Sequence, residues 1–102
     1  MAVPTQLRED VKRYCGVTWT DAITDGEFED LIEDGEAYID GKLGTEGDYE
    51  SPGYPRTLLK EYVRYARDYA LDVFENNYRS LILAMQHERS VDQYVESSAE
   101  TA

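Results

Sequence analysis

One cysteine, Cys15, and one histidine, His87, are the whole supply of the two side chains most used for metal binding and nucleophilic chemistry in these 102 residues. A lone cysteine excludes an internal disulfide framework and fits a reducing compartment. One Cys and one His cannot close a zinc tetrahedron without carboxylates. No protease signature surrounds Cys15, which reads as a small core hydrophobe. His87, among Gln86, Glu88 and Arg89, reads as a solvated helix-end residue. Basic residues are also scarce: 10 Lys and Arg against 22 Asp and Glu, a formal charge of −12. A nucleic-acid binder needs cationic surface to displace counterions, so this balance argues against that class and equally against binding to anionic lipid. No run of 18 apolar residues occurs, so no membrane span is expected. The first residues, MAVPTQLRED, have no apolar h-region, so no signal peptide is expected. Phosphate-cradling glycine loops are missing too. Asp21, Asp25 and Glu27 are spaced loosely like the start of a calcium loop, but neither the glycine nor the closing glutamate is in register. No cofactor, metal or enzymatic activity is expected.

What is present is helical periodicity. Hydrophobic residues make up 41% of the chain, enough for one domain's core. Leu7, Val11, Tyr14 and Cys15 share one face of a helix over Thr5–Cys15, with Thr5 as N-cap and Gly16 as the terminating glycine. For the second helix, Thr24 and Glu27 make a capping box, and Ile23 and Phe28 the accompanying staple. Its apolar stripe is Phe28, Leu31, Ile32, Ile39 and Leu43, opposite a face rich in Asp and Glu. Gly35 falls inside that stripe, which suggests close helix–helix packing, and Gly44 ends the helix. No strand is predicted, and no repeat is present.

Residues 44–55, GTEGDYESPGYP, carry three Gly, two Pro and three acids without periodicity. They are expected to be a flexible loop that orders on assembly, with Tyr49 and Tyr54 as its anchors. A third helix starts near Pro55. Its stripe runs from Leu58 through Leu59, Tyr62, Val63, Ala66, Tyr69, Ala70, Val73 and Phe74 to Met85. Unbroken to Gln86, it would be a long central helix of about 45 Å; a break at Asn76-Asn77 is the alternative. Ser90 and Gln93 suggest a cap for a last helix, and residues 97–102 a frayed tail. The expected fold is therefore all-α: one domain, 1–102, of four to five helices with one long acidic Gly/Pro-rich loop.

The candidate functional features are surfaces. Residues 1–53 carry 4 basic and 14 acidic side chains, net −10, whereas residues 54–102 carry 6 and 8, net −2. Against this acidity Arg56, Lys60, Arg64 and Arg67 form a basic strip along the third helix. Two readings stand side by side: pairing with the chain's own acids, or contact with the acidic second helix, Glu29, Glu33, Glu36 and Asp40, of another copy. Nine tyrosines are many for this length, and tyrosine is enriched at interfaces. Leu81, Ile82, Leu83, Ala84 and Met85 are apolar around most of a helix and call for cover on all sides.

The order of parts resembles a known family. V-K-R-Y-C-G closes the first helix (11–16) and E-A-Y-I-D-G-K-L-G the acidic one (36–44). A Gly/Pro-rich loop leads to the helix start Pro55–Lys60, and D-V-F-E-N-N follows at 72–77. Over about residues 5–90 this resembles the small helical head–tail connector proteins of tailed bacteriophages, also called adaptor or head-completion proteins. The resemblance implies a virion protein made in the host cytoplasm. It implies a homo-oligomeric ring docked on the portal protein and bridging to a tail-side connector or stopper, with DNA passing through and not specifically bound. The negative charge fits such a lumen, because an acidic channel does not grip phosphate. The isolated chain is expected to be a monomer, since like charges repel. Two rivals remain at this level: an acidic DNA mimic, and an antitoxin-like regulator with one protein partner.

Overall fold

The computed structural model describes the backbone of residues 3–101 and the side chains of residues 3–94. They form five helices and no strand: α1 Thr5–Tyr14, α2 Ala22–Leu43, α3 Tyr54–Arg67, α4 Leu71–Asn77 and α5 Arg79–Thr101. The all-α expectation holds, at the upper end of four to five helices.

α1 buries Leu7 and Val11 as its periodicity requires. Its N-cap is Pro4, so Thr5 is already helical and caps nothing. At the other end Gly16 sits at φ +81° while its N–H reaches the Arg13 carbonyl at 3.0 Å. The Val17 N–H reaches the Lys12 carbonyl at 2.9 Å, which completes a Schellman closure. Val17, buried, seals it.

α2 begins earlier than the Thr24 capping box implies. Asp21 is the N-cap, and its Oδ2 accepts from the Thr24 N–H at 3.4 Å and the Thr24 hydroxyl at 3.0 Å. Aspartate in extended backbone caps as well as threonine does, and starting there adds a turn. Ile23 is 73% exposed, so no staple with Phe28 forms. Gly35 is where α2 meets α3: an added Cβ would lie 2.7 Å from Leu59 Cδ1 and 2.9 Å from Tyr62 Cδ1. The core gathers Leu7 and Val11 of α1, Phe28, Ile32 and Ile39 of α2, Leu58, Leu59 and Val63 of α3, and Ile82 and Met85 of α5.

The long central helix does not form. The chain breaks after Arg67 and again at Tyr78, giving α3, α4 and the start of α5. Neither break carries glycine or proline, so the apolar period ran through both. The first is another Schellman closure. Tyr69 N–H donates to the Ala66 carbonyl at 3.1 Å and Ala70 N–H to the Tyr65 carbonyl at 2.8 Å, with Tyr69 left-handed at φ 56°. Packing explains it. In a straight helix Phe74 would lie about 18 Å beyond Tyr62. The turn returns its ring to 5.6 Å from both Tyr62 and Tyr65 and 5.1 Å from Tyr78, where it is buried. Tyr69, Leu71 and Val73, assigned to the buried stripe by periodicity, are exposed instead.

The last helix does not start at Ser90 either; α5 is continuous from Arg79. The expected frayed tail, 97–102, falls beyond the residues whose side chains are described, and the backbone is helical to Thr101. From Tyr78, beside Arg64, α5 passes the α2 C-terminus, where Gln86 Nε2 donates to the Lys42 carbonyl at 2.9 Å. It then passes Leu43 and Pro55, so it runs antiparallel to α3. Past Arg89 every described side chain is exposed. The molecule measures 53 × 28 × 19 Å, with a radius of gyration of 15.1 Å, against about 13 Å for a compact domain of this size.

Candidate interaction surfaces

The basic strip lies along the seam between α1 and α3. Arg56 Nη2 reaches Asp10 Oδ2 at 3.3 Å. Lys60 Nζ stands 5.6 Å from the centre of the Tyr14 ring, and the Arg67 guanidinium 4.9 Å from that of Phe28. Arg64 donates from Nη2 and Nε to Glu61 Oε2 at 2.5 and 3.0 Å. The strip thus meets its own chain, mainly at α1 and α3. Three of its four cations rest on rings, Arg64 on that of Tyr65 at 5.2 Å, and of these Lys60 and Arg67 are in no ion pair among the described residues.

Glu61 ties this region together. It is 6% exposed, accepts from the Tyr14 hydroxyl and from the Tyr78 hydroxyl at 2.7 Å, and takes the Arg64 fork. One carboxylate therefore joins α1, α3 and the α4–α5 turn. Burial, then its hydrogen bond to Glu61, pushes the Tyr78 phenol up to about 12. The Glu61 contact likewise raises the Arg64 guanidinium. Replacing Arg64 by an acid would set a second negative charge against a buried one. Lys60 and Arg67 are therefore the positions that report on the strip's outward face.

The four acids proposed as its counterparts are unequal. Glu29 Oε1 accepts from Arg8 Nη1 at 2.8 Å. Asp40 Oδ1 accepts from the Tyr49 hydroxyl at 2.5 Å and the Gly47 N–H at 2.8 Å. Glu36 is half-buried, and its carboxyl is raised by burial and then by Asp40, Glu33 and Glu50 around it. Glu33 alone is exposed without a hydrogen bond or ion pair among the described residues. Of these four only Glu33 is therefore left to offer a neighbour; Glu27, Asp30 and Asp34 are the other exposed acids of α2.

The 44–55 segment is seated on this chain. Tyr49 is 6% exposed, held by Asp40 and by the Glu36 carbonyl at 3.2 Å. Burial and the Asp40 bond raise its phenol well above the ordinary range. Asp48 Oδ1 accepts from the Glu50 and Ser51 N–H groups at 3.0 and 3.2 Å. Tyr54 is half-buried as the first residue of α3. Beside Tyr49 opens a pocket of about 330 Å³ with Glu36, Asp40, Glu46, Asp48 and Glu50 around it. Among the described residues no three His, Cys, Asp or Glu side chains are placed to hold a metal ion.

Of the apolar run, Ile82 and Met85 are buried in the chain's own core and Leu81 is half-buried against it; Leu83 is 57% exposed. A neighbour has no access to Ile82 or Met85, because α2 and α3 already cover that face of α5. Cys15 is half-buried in the core margin, where burial pushes its thiol up. His87 is exposed on α5.

Two residues have roles that periodicity does not reveal. Glu61 carried one signal, an acid three residues before an arginine inside a basic strip. Tyr69 carried none. It is 95% exposed and lines, with Glu27, Phe28, Asp30, Leu31, Ala66 and Arg67, a cleft of about 460 Å³. No protein-family model, curated protein or solved structure matches this chain.

Proposed function

We propose that this chain is a head–tail connector subunit of a tailed bacteriophage, forming a ring on the portal protein and bridging to a tail-side component while DNA passes through. The sequence resemblance supports the reading, and so does the elongated all-α bundle. The observation that carries it furthest is the separation of charge. Glu27, Asp30, Glu33 and Asp34 are exposed on α2, while Lys60, Arg64 and Arg67 line the α1–α3 seam. A ring is closed by head-to-tail contacts between two different surfaces of each copy, and surfaces of unlike charge suit that. A DNA mimic would keep its carboxylates free. Here Asp25, Glu29 and Asp40 are engaged within the chain. The test is to add the purified protein to portal-bearing heads that lack a connector and to heads without portal. Rings confined to portal vertices support the reading; equal binding to both, or none, refutes it.

A further inference from the structure

Among the described residues, nothing else in the chain covers the arm of α5 from Ser90 to Tyr94. Ser90, Val91, Asp92, Gln93 and Tyr94 are all exposed, Tyr94 at 74% and Val91 at 46%. Taking 100° per residue, Leu83, His87, Val91 and Tyr94 fall within about 80° of arc, one continuous stripe. The acids Glu88 and Asp92 lie together on one side of it, toward Leu43 and Pro55, and are in no ion pair among the described residues. A half-turned-out helix with a Val/Tyr stripe needs a cover.

Charge points to its cover. Glu88 and Asp92 outweigh Arg89 on the arm; along α3, Lys60 lies beside Tyr14, which is 47% exposed, and Arg67 over Phe28, neither in an ion pair among the described residues. The two surfaces are complementary in charge, and each offers a tyrosine. They cannot meet within one molecule. α5 runs antiparallel to α3 and leaves the body past Pro55, away from Arg64 and Arg67 at the far end of α3. The only chain guaranteed to carry a matching seam is another copy.

We propose that the distal half of α5, through Glu88, Val91, Asp92 and Tyr94, docks on the Lys60–Arg67–Tyr14 seam of a second copy, head to tail. The inference rests on the ring reading and names the contact that closes it, with α5 in place of α2 as the acidic partner. Because arm and seam are different surfaces, the contact propagates around a ring instead of stopping at a two-fold dimer.

Complementation tests it. The arm variant is Glu88→Lys/Asp92→Lys and the seam variant Lys60→Glu/Arg67→Glu. Sedimentation equilibrium is run at about 0.15 M salt, where the Debye length of about 8 Å mutes the general repulsion, and at up to about 1 mM protein, because exposed ion pairs are weak. Wild type should grow in mass with concentration, and each variant alone should stay at 11.7 kDa. Their mixture should grow in mass again, since an intact arm meets an intact seam and the reversed arm meets the reversed seam with opposite charge. Wild type that is monomeric throughout, variants that associate as wild type does, or a mixture that does not pair overturns the proposal. Circular dichroism checks that both variants are folded. If either is not, Val91→Ala/Tyr94→Ala and Lys60→Ala/Arg67→Ala take their places, and their mixture should stop at a 1:1 complex, since it keeps one intact arm against one intact seam. Heads are absent from this experiment, so its failure leaves the portal reading to its own test, and failure of portal binding leaves the arm–seam contact standing.

Discussion

Single residues decide how tightly this bundle closes. Gly35 was legible as a packing glycine because it interrupts an apolar stripe, and the 2.7 Å approach to Leu59 confirms that no side chain fits there. Gly35→Ala should therefore cost about 1–3 kcal/mol through overpacking, read as a lower denaturant midpoint. The gain in helix propensity from Gly to Ala, about 1 kcal/mol, opposes but does not cancel it. Glu36 acts in the opposite sense. Its carboxyl is raised above the usual 4.5 by burial and by Asp40, Glu33 and Glu50. A group that binds its proton more tightly when folded costs stability once ionised, from its ordinary range upward. Glu36→Gln should raise the melting midpoint at pH 7, and the gain should vanish below about pH 4. An equal gain at both pH values would mean that charge is not the cause. Glu61 was not legible, because its partners Tyr14 and Tyr78 come from other helices and only the fold brings them to it.

At the scale of elements, the periodic segments were readable and their ends were not. Leu7 with Val11, Phe28 with Ile32 and Ile39, and Leu58, Leu59 and Val63 are buried as their spacing requires. The α3–α4 break was invisible because Tyr69, a residue that rarely takes φ 56°, occupies the place where glycine normally ends a helix. The aromatic contacts of Phe74 hold it there, and those are long-range. Tyr69→Gly should keep the break and stabilise the domain by about 0.5–1 kcal/mol, less the entropy glycine gains when unfolded. A loss of stability would mean that the Tyr69 side chain contributes a contact that its 95% exposure does not show. The start of α2 was misplaced by three residues because two cap candidates, Asp21 and Thr24, both satisfy the local rule. Asp21→Ala should lower the melting midpoint at neutral pH. The Asp21 carboxyl is held below its usual 3.8, first by the Thr24 hydroxyl. The charge-linked part of its contribution is thus complete above that value and is lost as pH falls through the folded one. If Asp21→Ala melts with wild type at pH 7, the helix is capped elsewhere.

The whole molecule carries −12, and most of that charge sits in its first half. Much of the first half's acidity turns inward: Asp25 and Glu9 hold the buried Lys12, Glu29 holds Arg8, and Asp40 holds the 44–55 segment through Tyr49. The cations of α3 behave differently, with Lys60 and Arg67 laid on rings and left electrostatically open. Composition alone could not show this division, since it depends on which side chains the fold brings within reach. An acidic body, an open basic seam and an acidic projecting arm describe a subunit that repels its copies at long range and binds them at short range. Such a chain assembles where something else fixes its neighbours in place, because a template supplies the effective concentration that weak contacts lack. The most direct measurement is the number of copies bound per portal-bearing head, for wild type and for Lys60→Glu/Arg67→Glu. Wild type should saturate at one fixed integral number per portal vertex and show no binding to heads without portal, and the folded variant should fall far below that number. A variant that decorates portals at wild-type stoichiometry, or a wild type that ignores them, would contradict the account.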